Sequence, residues 1–94
     1  MREIIWSSLA INDLRGIAEW LNVEVSPETA ASYLTAIRER SEMLKDFPRR
    51  GPRISDEARK LLVPATPYIM LYDVAEMRIE VLRVFHNREN WRAN

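Results

Sequence analysis

Four side chains in the second half of this chain have the types needed to move a proton and hold an anion: Glu57, Arg59, Arg83 and His86. Cleaving RNA through its 2′-hydroxyl takes a base near that hydroxyl, an acid for the leaving oxygen and cations for the phosphorane charge. The chain has one histidine, His86, and imidazole is the side chain that carries protons near neutral pH. At a strand's end it can serve as general base or as a structural hydrogen-bonder. Arg83 stands inside an apolar run, in alternation with Ile79, Val81 and Phe85. An unpaired guanidinium buried there costs several kcal/mol. It must pair, with Asp73 or Glu80 as the nearby acids, or its face must open to solvent or an anionic ligand. Arg53, Arg59, Arg83 and Arg88, with Trp91, make a candidate target-binding set on or beside one sheet.

A second signal is apolar. Leu9 and Trp20 lie eleven residues apart, about three helical turns, and share an azimuth roughly 120° from the core stripe of their helix. Ala36 and Met43 fall off the stripe of the next helix. Such residues either tuck under the helix–helix connection, against Val23 and Val25, or form a surface for a partner's helix.

Composition removes several classes of function. Ninety-four residues make one domain, 1–94, able to bury roughly 60–65% of its unfolded surface. With no Cys and a single His, no thiol chemistry, disulfide framework or His-based metal cluster is expected. No Gly-rich phosphate loop occurs, so no nucleotide or organic cofactor is expected. No apolar run reaches membrane-span length and no signal peptide is evident, so the expected address is the cytoplasm. Net charge is zero, but residues 1–48 hold five basic and eight acidic side chains, whereas residues 49–94 hold nine basic and six acidic. The second half is thus +3 and can face an anionic target or an acidic partner, or simply carry solvated Arg.

The elements that must position these residues follow from periodicity. Residues 2–6 are β-branched and aromatic and read as a strand, with Ser8 as N-cap of a helix over 9–21 whose stripe is Ala10, Leu14, Ile17, Ala18 and Leu21. Ser26-Pro27-Glu28 starts a second helix running to Asp46. Its stripe is Ala30, Tyr33, Leu34, Ile37, Ser41 and Leu44. The short connection between them implies an antiparallel helical hairpin. Residues 49–57 read as a charged loop, and 59–63, 68–74 and 78–86 as strands. Residues 87–94 form a polar tail, with one helical turn anchored by Trp91. The order β-α-α-β-β-β predicts an α+β domain, two helices on one face of a mostly antiparallel sheet.

This order, with its residues, resembles the RelE/ParE superfamily of toxins from bacterial type II toxin–antitoxin systems. Three stretches carry the likeness: Ala10-x-x-Asp13-Leu14-x-x-Ile17, Leu44-x-x-Phe47-Pro48-x-x-Gly51, and Pro67-Tyr68-Ile69-x-x-Tyr72 followed by Ile79-x-Val81-Leu82-Arg83-Val84-x-His86-x-Arg88. The Leu-Arg-Val-x-His-x-Arg ending is most similar to the ParE branch. That resemblance implies a plasmid-stabilising toxin that inhibits DNA gyrase by protein–protein contact, without assigned catalytic residues, held in a hetero-oligomer by a cognate antitoxin. The antitoxin surface is expected at Leu9, Trp20, Ala36 and Met43. The RelE branch implies instead a ribosome-dependent mRNA endonuclease, for which Glu57, Arg59, Arg83 and His86 are the candidates. That branch is Lys-rich and often carries Tyr in its tail, whereas this chain has only Lys45 and Lys60, and Trp91 in the tail. A third possibility is a remnant that only forms the antitoxin complex.

Overall fold

The Ser7 hydroxyl, rather than that of Ser8, caps the first helix, accepting the Ala10 N–H at 3.0 Å. That helix, α1 (Ser8–Glu24), runs three residues past the expected end. The second, α2 (Pro27–Met43), is capped by Ser26, whose hydroxyl accepts the Thr29 N–H, and it stops before Asp46 in a series of tight turns. In the computed structural model, which describes residues 2–88, the strands are β1 (Glu3–Trp6), β2 (Arg59–Leu62), β3 (Tyr68–Val74) and β4 (Arg78–His86). The tail from residue 89, with Trp91, lies outside the described residues.

The sheet order is β1-β4-β3-β2, with β1 parallel to β4 and the other pairs antiparallel. The helical hairpin covers one face, as the α+β reading anticipated. Between the layers lies a core of Ala10, Leu21, Ala30, Ile37, Leu44, Leu61, Met70, Tyr72, Ile79, Val81 and Val84. These are the apolar stripes of both helices and alternate residues of the strands, removed from water together.

One irregularity decides which side chains face where. Leu71 pairs with Arg83 but Tyr72 pairs with Val81, so Leu82 is an extra residue opposite no partner. A β-bulge of this kind resets the in–out alternation. Ile79, Val81 and Val84 therefore all face the helices, and Arg83 does not share a face with Ile79 and Val81 as strict alternation predicts. Ser7 holds the bulge: its N–H donates to Val81 O and its hydroxyl to Leu82 O, at 3.0 and 2.8 Å. One serine thus both starts α1 and ties it to β4.

Candidate functional site

The four proton-transfer candidates are dispersed. Glu57 is exposed in the loop before β2. Arg59 pairs across the sheet with Tyr72, and its Nη1 donates to Gly51 O at 2.8 Å, so it fastens a loop. The same loop is held by the buried Tyr72 hydroxyl, which donates to Pro48 O and accepts the Gly51 N–H, each at 2.9 Å. His86 pairs with Tyr68 at the other end of the sheet, on the helix-covered side. Its Nδ1 accepts the Arg88 N–H at 3.1 Å, and its ring meets Tyr68 edge-on.

Arg83 has neither of the acids expected for it. Its Nε and Nη2 donate to the two carboxylate oxygens of Asp13 on α1, at 2.8 and 3.0 Å. Its guanidinium carbon also lies 4.5 Å from the centre of the Phe85 ring. Asp13 Oδ2 accepts the Val84 N–H as well, at 2.9 Å. β1 pairs with β4 only as far as Val81, and beyond that point the Asp13 carboxylate takes the place of a neighbouring strand. An acid between the core positions Ala10 and Leu14 was the available sequence signal for this contact. The fork geometry is the strong form of the carboxylate–Arg pair. Arg53, the other expected basic contact, curls back, with Nη1 donating to Asp56 O at 3.0 Å. Arg88 is exposed.

The apolar candidates divide. Trp20 is 57% exposed and Leu9 56%, and Val23 and Val25 are exposed too, so Trp20 does not tuck beneath the connection. Ala36 and Met43 are half-buried and pack against the core. Grooves flank α1 on two sides. One, of about 700 Å³, lies between α1, α2 and β1, floored by Trp6, Leu14 and Ile37 and edged by Arg15, Arg38 and Glu42. The other, of about 410 Å³, is bounded by Asn12, Gly16 and Trp20 on α1 and by Tyr68, Val84 and His86 on the sheet.

Among the described residues no group of three or more His, Cys, Asp or Glu is placed to hold a metal ion. No helix among them is long and apolar enough to cross a membrane. What the arrangement offers is an exposed apolar helix face above a polar-edged groove, and a clamped loop carrying exposed Phe47, Arg49, Arg50 and Arg53.

Residues 4–91 match the family model described as ParE toxin of type II toxin–antitoxin system, parDE. Toxin RelE2 of Caulobacter vibrioides is 27% identical over 86 residues, which is 92% of this chain and 96% of that protein. A solved structure of the chromosomal ParDE toxin–antitoxin system from P. aeruginosa superposes with a TM-score of 0.80 at 25% identity, covering 92% of this chain and 96% of the other.

Proposed function

The chain belongs to the ParE toxin family of type II toxin–antitoxin systems, and from that premise we propose that it inhibits DNA gyrase when free and is held inactive by a cognate antitoxin. The observation that carries gyrase over message cleavage is the scatter of Glu57, Arg59, Arg83 and His86. Two of the four have their guanidinium groups committed to Gly51 and Asp13, and the groove at His86 is bounded by none of the other three. A surface inhibitor needs no such assembly. Its target contacts fall to the exposed cations Arg53 and Arg88 and the C-terminal tail, with Arg59 and Arg83 shaping the scaffold beneath. The ParDE match supports an antitoxin partner, and the exposed pair Leu9 and Trp20 supplies an apolar surface for it. Trp20→Ala then weakens the complex by about 2 kcal/mol or more with little loss of folding stability. Equal losses of affinity and stability would place Trp20 in the core.

The relative named Toxin RelE2 supports a second reading, message cleavage on ribosomes. Induced expression in cells separates the two readings. Gyrase inhibition gives DNA damage and filamentation with intact message, and His86→Gln leaves growth arrest unchanged. Cleaved message, abolished by His86→Gln, would replace the first reading with the second. A chain that causes neither effect, yet binds antitoxin, would be the inactive remnant.

A further inference from the structure

The outer face of α1 carries a glycine that the fold itself does not require. A Cβ at Gly16 would meet nothing within 4 Å, and glycine in a helix interior is destabilising relative to alanine. Gly51 is the contrast, since a Cβ there would collide with the Lys60 carbonyl. Around Gly16 the outer face runs Leu9, Asn12, Gly16, Trp20 and Val23, all exposed and spaced three or four residues apart. The missing side chain leaves a notch between Asn12 and Trp20, with Leu9 and Val23 beyond them. The notch opens onto the groove of about 410 Å³ that reaches Tyr68 and His86.

We propose that a helix of the antitoxin crosses α1 at Gly16, its backbone closer there than any side chain on α1 would permit, with one apolar side chain entering the groove. The proposal rests on the antitoxin reading above and extends it to a crossing point and a charge pattern. Glu19 and Glu24 border the stripe on its two sides and are exposed, while the Asp13 carboxylate already faces Arg83. The occupant that fits is an amphipathic helix with Lys or Arg flanking its apolar stripe. The same charges disfavour a second copy of this chain. A parallel two-fold crossing centred on Gly16 sets Glu19 against itself, and any second copy brings a stripe bordered by Glu19 and Glu24 to where cations fit.

The test combines thermal melting with calorimetric titration of the protein encoded by the reading frame adjoining this chain's own. It compares the wild-type chain with Gly16→Ala and Gly16→Leu. The Ala variant should melt about 4–8 °C higher and yet bind about tenfold more weakly, and the Leu variant about a hundredfold more weakly. A stabilised Ala variant that binds like wild type would overturn the crossing at Gly16 and leave the antitoxin reading intact. A wild-type chain that does not bind the adjoining protein at all would overturn the antitoxin reading, and this occupant with it. Sedimentation of the chain alone as a dimer that Gly16→Leu dissociates would assign the stripe to a second copy and overturn the proposal.

Discussion

Asp13 and Arg83 stand 70 residues apart in the chain and meet in a two-pronged ion pair that joins the first helix to the last strand. The side chains are 16% and 34% exposed respectively, so the pair is partly shielded from water. Because Asp13 also accepts the Val84 N–H, its loss frees a backbone donor as well as a charge. Fully buried pairs cost about 3–5 kcal/mol when one partner is removed, and partial exposure lowers that figure. Asp13→Ala and Arg83→Ala should each lose about 2 kcal/mol in urea unfolding, with a coupling of about 1 kcal/mol in the double-mutant cycle. Additive losses would show that the two groups do not interact in solution.

Ser7 links a cap to a bulge. Ser7→Ala removes the acceptor for the Ala10 N–H and the donor to Leu82 O, which together should cost about 2 kcal/mol. Amide exchange should quicken at Ala10 and along the β4 bulge. A change confined to the helix would mean the bulge stands without the serine.

The order of elements was legible because its signals are local. Ser26-Pro27-Glu28 carries a cap, a preset φ and an acid for the helix N-terminus within three residues. Most of both helical stripes landed on the core, while Ala18 and Leu34 line the groove between the helices and β1. The bulge at Leu82 was not legible, since an extra residue in an apolar strand leaves the pattern of residue types unchanged. That one insertion moved Arg83 off the face of Ile79 and Val81. The Arg83 partner was hidden for a different reason: sequence proximity favoured Asp73 and Glu80, whereas the fold brings Asp13 across the free edge of β4. Trp20 was readable as an off-stripe aromatic. The meaning of Gly16 was not, because a helical glycine is uninformative until the space around its missing Cβ is known.

The loop after α2 is held by the Tyr72 hydroxyl as well as by Arg59, and it passes Lys60 closely at Gly51. Tyr72→Phe strands the buried Gly51 N–H and loosens Pro48, at a cost of about 2 kcal/mol. Gly51→Ala drives a Cβ into the Lys60 carbonyl, and backbone cannot yield cheaply, so about 3 kcal/mol or more is expected. Urea denaturation measures both. If the loop carries target contacts through Arg53, the still-folded Tyr72→Phe variant should also be less toxic on induction. Unchanged toxicity would remove the loop from the target surface.

Gyrase inhibition by surface contact, proposed for this member of the ParE toxin family, can be read in a single reaction. Its most direct test is the supercoiling of relaxed plasmid by purified gyrase and ATP in the presence of this chain, with and without its antitoxin. A molar excess of the chain should block supercoiling, and antitoxin should restore it. Full supercoiling in that excess, with message cut when the same preparation meets translating ribosomes, would contradict gyrase inhibition.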